Sequence, residues 1–508
     1  MKVHLAGYNV DTSILKQMEA DLGKRQDLTP EVLSAAYARI SRDPRSIKDI
    51  RKDAREEVEK SRRSNSAIIF KMGHHSVAEH AVFNLDIIGV SRLAMEEVEK
   101  FRLCSYTEKS QRYITLDNDF VLPGEIKGTK HEKIFIDMIK EQNKAYFVFF
   151  EKLKDHVFSK YADIAADPKK HNMIEGWAKE DARYITALAT ESQVGQTINA
   201  RNLELMLRRF ASSDLGEVKE LGARIYDLIS RVAPSIVIFH KANNKDLKTY
   251  PEIKLFCEKF TGEKSVPVGI AGGEEVSLVD YTGNGDDIVA SSLMHTSSDL
   301  DYENCREIVS KLSAHEKAGI FKAAWRNTQF YDSMLREFEY VNLTYNICLS
   351  SACFGQLKRH RMATITNQEY DPSLGITVPA SIKETGMEKY FRQITERTEK
   401  VFYDIKRDNP LAAPYILTNA HRKRVLIRVN ARELYHISRL REDVHAQWDI
   451  RDISGKMILA AKKVMPLTFS LAGGKDKYNE VYKGLFGKLP DVTESVLPGK
   501  RKIGHAKV

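Results

Sequence analysis

The stretch QLKRHRMATITNQEYDPSLGITVP, residues 356–379, centres on Arg359, His360 and Arg361, two guanidiniums flanking an imidazole. Guanidinium forks donate paired, charge-assisted hydrogen bonds that suit phosphate and carboxylate. An apolar run at residues 345–354 leads into the triplet and Met362-Ala363-Thr364 follows it, so the cluster is set against apolar sequence. Alone a basic triplet is weak evidence, because such triplets occur on many surfaces. A second, altered copy makes it informative: Lys100-Phe101-Arg102, followed by Glu108, Ser110, Arg112 and Tyr113.

Working outward from the two copies, the same features recur in the same order. Val3–Tyr8 resembles Val276–Tyr281, and Glu79-His80 resembles Glu339-Tyr340. Phe120–Pro123 matches Ile376–Pro379, Asn199-Ala200-Arg201 matches Asn430-Ala431-Arg432, and Ala233-Pro234 matches Met465-Pro466. Ordered markers at similar spacing argue for a duplicated domain. The expected division is a first repeat over 1–240, a connector with a short helix over 241–272, a second repeat over 273–470, and a basic, peripheral tail over 471–508.

Composition bounds the class. A chain of 508 residues exceeds one ordinary core, and 29% charged with 42% hydrophobic residues is a soluble globular balance. The net charge of +9 favours anionic partners such as nucleotides or polyanionic cofactors. Its basic residues are mixed with acids and show no RRM or KH signature, which argues against nucleic acid as the partner. Five cysteines without a CxxC pair fit a reducing cytoplasm, and no apolar run is long enough to span a membrane.

Local signals place the elements. Residues 2–7 read as a strand, and Thr29-Pro30-Glu31 as a helix start with Val32, Ala36 and Ile40 on one face. The charged stretch 46–63 reads as a solvated helix or arm, residues 81–90 as strand, and 130–154 as long helix. A strand is expected to end at Val121-Leu122-Pro123. Asn199 and Asn430 each open a helix, the first turning Leu203, Leu207 and Phe210 inward. On the second, Asn430, Ile437 and Arg441 share one face, and Arg432, His436 and Arg439 lie one turn apart on a neighbouring face. Such spacing is ordinarily a charged solvent face. Gly283-Asn284-Gly285 has neither the third glycine of a dinucleotide fingerprint nor a P-loop lysine, and reads as a turn. His74, His75, Glu79 and His80 do not have zincin spacing, so no metal is expected.

Three motifs together resemble the flavin-dependent thymidylate synthases: the Arg359-His360-Arg361 triplet, the segment Gly73-His74-His75-Ser76-Val77-Ala78-Glu79-His80, and the run from Asn430-Ala431-Arg432 through Leu440-Arg441 to His445-Ala446-Gln447-Trp448. The resemblance covers both halves and implies an α+β fold, two tandem copies of mixed helices with a small antiparallel sheet. It implies conversion of dUMP to dTMP, with methylenetetrahydrofolate as carbon donor and NADPH as reductant, through FAD. FAD would be held by Ser76, Arg359, His360, Arg361, Asn430, Arg432 and His436. Gln356, Arg359, Glu108, Ser110, Arg112, Arg424 and Arg441 would hold dUMP, and Arg441 would also stabilise charge developing on the uracil ring. Reduced flavin makes a catalytic cysteine unnecessary, and Cys104 is read as structural.

Each half departs from the pattern, in complementary ways. The second carries Glu369 and Asp371 where the family has Ser and Arg; the first keeps Ser110 and Arg112 but has Phe101 in its triplet, Phe210 at the place of Arg441, and Gln193 at that of Arg424. Sites in this family lie between subunits. A duplicated chain could therefore keep one composite site built from both repeats, within a homodimer that imitates a tetramer. The alternative is a catalytically altered homologue that binds flavin or nucleotide as a sensor or structural protein.

Overall fold

The computed structural model describes residues 1–10, 29–39, 43–66, 69, 74–110, 119–261 and 274–494. Two compact units divide the chain: Met1–Val268 with Gly375–His421, and Gly269–Leu374 with Arg422–Val508. Each contains one four-stranded antiparallel sheet. In the first unit β1 (Lys2–Tyr8), β2 (Val82–Ser91), β3 (Cys104–Glu108) and β4 (Glu191–Asn199) lie in the order β1-β2-β4-β3. In the second, β5 (Val276–Tyr281), β6 (Asn342–Ser350), β7 (Thr364–Asn367) and β8 (Arg422–Asn430) lie in the order β5-β6-β8-β7.

The two sheets agree in register as well as order. β4 opposes Asn199 to Val82 and Val194 to Glu108; β8 opposes Asn430 to Asn342 and Val425 to Asn367. Even the irregularity of the edge strand recurs, between Leu5 and Gly7 in β1 and between Leu278 and Asp280 in β5. Alternation explains why these segments are strands: along β8, Val425, Ile427 and Val429 are buried while Leu426 and Arg428 are exposed. Register makes Gln193 the counterpart of Arg424, Ser192 of Lys423, and Glu108 of Asn367.

Strand ends turn into helices through the same caps in both units. Ser91 and Ser350 cap the helices Arg92–Val98 and Ser351–Leu357, each side chain accepting a backbone N–H of the first turn. Each serine also donates its hydroxyl, at 2.6 Å, to an acid that opens a later helix, Glu217 or Asp449. Asn199 and Asn430 cap Ala200–Ala211 and Ala431–Arg441 in the same way.

Several expectations are corrected. The segment 375–421 lies within the second repeat, yet it packs in the same compact unit as the first. Its helix Glu388–Asp408 packs on Glu132–Lys160, with Gln142 Nε2 donating to Thr398 Oγ1 at 2.8 Å and Phe149 5.5 Å from Phe391. Equivalent loops of the two repeats meet there, Leu188 N–H donating to the Leu417 carbonyl and Asn419 N–H to that of Thr186. The charged stretch 46–63 is not solvated throughout: it forms helices Ile47–Glu56 and Val58–Ser66, which bury Ile50 and Ala54 against Val32 and Ala36. Of the strand expected to end at Pro123, the described residues show one bridge, Phe120 with Thr190. The connector helix runs the full length Asn244–Thr261. The tail is not wholly peripheral, because Tyr478 and Tyr482 of the helix Tyr478–Phe486 are buried, their hydroxyls donating to the Thr328 and Arg326 carbonyls. Asn284, at φ 54°, makes the expected turn and caps Gly285–Thr296. Among the described residues no helix is long and apolar enough to cross a membrane.

Candidate functional site

The basic triplet follows directly from the helix Ser351–Leu357, which is buried along its whole length. That burial carries His360 inward, to 3% exposure, while Arg359 stays exposed. Arg441, at the end of the helix Ala431–Arg441, donates Nε–H to His360 Nε2 at 2.9 Å and Nη2–H to the Gln356 carbonyl at 3.3 Å. Because Nε2 accepts, the imidazole proton sits on Nδ1, where Glu433 Oε1 lies 3.5 Å away. Burial, and after it the charge of Arg441, pushes the His360 imidazole down to about 3. It is a neutral acceptor at physiological pH. Burial likewise raises the Glu433 carboxyl.

This has a consequence for stability. A base whose folded pKa is depressed favours the fold above its unfolded pKa and opposes it as pH falls. Stability of the second unit is therefore expected to drop between the ordinary histidine value of 6.5 and about 3. The slope is up to about 1.4 kcal/mol per pH unit. His360→Phe, which installs the side chain found at Phe101, is expected to flatten that slope in urea titrations across this range. An unchanged slope would contradict a buried neutral imidazole.

Beside the cluster lies a cavity of about 270 Å³ that shares Glu433 with it and is lined by Asn430, Arg432, His436 and Arg439 on one wall. Phe330, Met334 and Tyr478 belong to the facing walls. Arg432 is held by Glu339 at 2.7 Å and donates Nε–H to the Met334 carbonyl at 2.7 Å. Arg439 donates to the carbonyls of Phe330 and Asp332 at 3.2 and 2.6 Å. Gln356 donates Nε2–H to Gln447 Oε1 at 3.1 Å, and its own buried Oε1 has no hydrogen-bond partner. A buried unpaired acceptor is costly, and is a natural place for a ligand donor.

The structure thus brings together Gln356, His360, Asn430, Arg432, His436 and Arg441. Arg424 lies half-buried on β8, and Arg361, the last residue of the triplet, is half-buried. The remaining expected residues lie elsewhere. Ser76 is exposed on the short helix His75–His80 of the first unit; by register its place in the second is taken by Arg336. Glu108 ends β3 of the first unit, accepting from Ser192 Oγ at 3.0 Å, and Ser110 follows it. Arg112 lies outside the described residues. Sequence reading passed over Glu433, Phe330 and Tyr478. Glu433 had a signal, lying between Arg432 and His436 on the same helix, whereas the two aromatics come from segments with no motif.

The first unit shows what became of the duplicate centre. The counterparts of His360 and Arg441 are Phe101 and Phe210, rings 5.9 Å apart in an edge contact. A charge-assisted contact has been replaced by an apolar one. Arg201 keeps its ion pair with Glu79, as Arg432 keeps Glu339. Arg208, counterpart of Arg439, instead lies 3.0 Å from Asp246, a carboxylate that also faces Arg209 at 3.1 Å. Asp246 stands as far beyond Ala233 as Tyr478 stands beyond Met465, so the connector's acid and the tail's tyrosine follow their repeats at the same distance.

The family described as thymidylate synthase complementing protein matches residues 25–235 and 277–467. The chain belongs to that family, Thy1, the family of the flavin-dependent thymidylate synthases, with both halves matched. Among curated relatives, the flavin-dependent thymidylate synthase of Clostridium tetani is 30% identical over 212 residues, 41% of this chain and 80% of that protein. The UPF0159 protein Ta1429 of Thermoplasma acidophilum is 24% identical over 488 residues, 87% of this chain and 93% of its own. A UPF0159 protein of Chlamydia muridarum is 24% identical over 459 residues, 85% of this chain and 81% of its own. These two UPF0159 proteins match 85% or more of this chain, while the Clostridium tetani enzyme matches 41% of it.

Proposed function

We propose that this Thy1 member is a flavin-dependent thymidylate synthase, converting dUMP to dTMP with methylenetetrahydrofolate and NADPH. The observation that carries the reading is the neutral, buried His360 holding the Arg441 guanidinium beside the unpaired Gln356 oxygen. Arg432, Arg439 and Lys475 give the adjoining cavity cationic donors, and Phe330, Tyr435 and Tyr478 give it aromatic walls. That chemistry fits FAD, and the volume, at the small end of ligand sites, fits one end of it. Arg359, His360, Arg361, Asn430, Arg432 and His436 would hold the cofactor, with Ser76 contributed from a first repeat. Bound FAD supplies the hydride. Arg441 stabilises negative charge on the uracil ring, a fixed cation whose orientation His360 maintains. Burial pushes the Cys348 and Cys353 thiols up, away from the thiolate a nucleophile needs.

For dUMP, the second repeat offers Gln356, Arg359, Arg424 and Arg441, and a first repeat Glu108, Ser110 and Arg112. Arg112→Ala and Arg424→Ala are expected to weaken dUMP binding alike, about ten- to hundred-fold, the worth of one charge-assisted bond. Asp371→Ala and Gln193→Ala, at the counterpart positions, are expected to change it little. Titration of dUMP into flavin-loaded protein gives about one nucleotide per chain on this reading; two would refute a site that uses each repeat once. The decisive assay is tritium release from 5-labelled dUMP with NADPH and methylenetetrahydrofolate. Flavin-loaded protein that binds dUMP yet releases no tritium would be the altered flavin- and nucleotide-binding homologue instead.

A further inference from the structure

The helix Asn244–Thr261 lies outside both matched segments, so it belongs to the tandem arrangement and not to the shared domain. Its single buried residue is Asp246, which fastens the N-terminal turn to Arg208 and Arg209. Beyond that turn the helix is exposed, although Tyr250, Ile253, Phe256 and Phe260 are 75%, 50%, 58% and 77% accessible. At 100° per residue these four and Cys257 fall in one stripe about 120° wide, the width with which a helix meets a packing partner. Soluble proteins rarely leave such a surface bare.

We propose that this stripe is a self-association seam, the connector helix pairing antiparallel with the same helix of a second copy of the chain. With Ile253 and Phe260 as a positions and Phe256 as d, antiparallel pairing sets each Ile253 against Phe256 of the other copy. The same register sets Glu252 against Lys259 along the flank, twice by the two-fold symmetry, and Tyr250 against Cys257. Opposite charges meet at both copies of the Glu252–Lys259 contact. A membrane surface is the poorer occupant, because the helix carries four lysines against three acids, without the strong basic face of interfacial helices.

The test is sedimentation of the full chain between about 1 and 100 µM, the range suited to a seam this small. The Ile253→Asp, Phe256→Asp double variant changes only exposed side chains and is expected to halve the assembled mass. Glu252→Lys is expected to raise the dissociation concentration about tenfold, by opposing like charges. Adding Lys259→Glu restores the pairing with the signs exchanged, a rescue that unspecific apolar association does not give. A monomeric parent, an assembly untouched by the double aspartate variant, or a charge exchange without rescue would each overturn the proposal. Flotation with phosphatidylserine-containing vesicles that depends on Ile253 and Phe256 would overturn it in favour of a membrane.

Discussion

Arg441→Ala protein is expected to purify yellow, yet release tritium from 5-labelled dUMP about 100- to 1,000-fold more slowly than the parent. The separation of the two readouts follows from geometry. Arg441 contacts His360 and the Gln356 carbonyl, whereas the cavity wall proposed for FAD is built by Asn430, Arg432, His436 and Arg439. Burial is the larger cause of His360 neutrality, so the imidazole stays neutral when the guanidinium is gone. What is lost, on the proposed function, is a fixed cation facing dUMP. Arg441→Lys keeps charge but not the planar fork that donates to His360 and Gln356 together, and is expected to fall between the two. Parent-like tritium release from Arg441→Ala would remove the arginine from the reaction.

Arg359→Ala combined with His360→Ala is expected to purify colourless, with flavin falling from about one per chain to below about a tenth, as losing the one charged donor of Arg359, at about 1.5–3 kcal/mol, together with the buried imidazole beside it requires. Among its described residues, the first repeat does not repeat the His360–Arg441 contact. Its Phe101 and Phe210 pack as an apolar pair, and Asp246 occupies Arg208 and Arg209. Because His360 is buried, a urea unfolding curve must accompany the measurement, so that loss of flavin is read on folded protein. Retention of about half the flavin would mean that the first repeat binds it. Full retention would make the triplet an ordinary surface cluster.

Much of this was legible in the chain. The duplication could be read from ordered markers, and the structure repeats it down to strand register and the edge-strand irregularity. The helix opened by Asn430 could be read from its cap, and the common face of Arg432, His436 and Arg439 from its period; the three do line one cavity. These are local properties: a cap acts within one turn, and periodicity states which face of an element is buried.

Periodicity does not state against what that face is buried. The buried face of Glu388–Asp408 needs a packing partner, and only the tertiary structure decided that Glu132–Lys160, in the other repeat, supplies it. The tail offered Tyr478 and Lys475 without a motif, and folding alone brought them to the cavity wall. Phe101 and Phe210 could be listed from the sequence as two separate losses. Their meeting at 5.9 Å turned them into one event, the exchange of a histidine–arginine contact for an apolar pair. Residue types and local geometry were therefore set by the sequence itself. The choice of partner belonged to the tertiary structure, because packing joins residues far apart in the chain whose complementarity appears only once their elements have met.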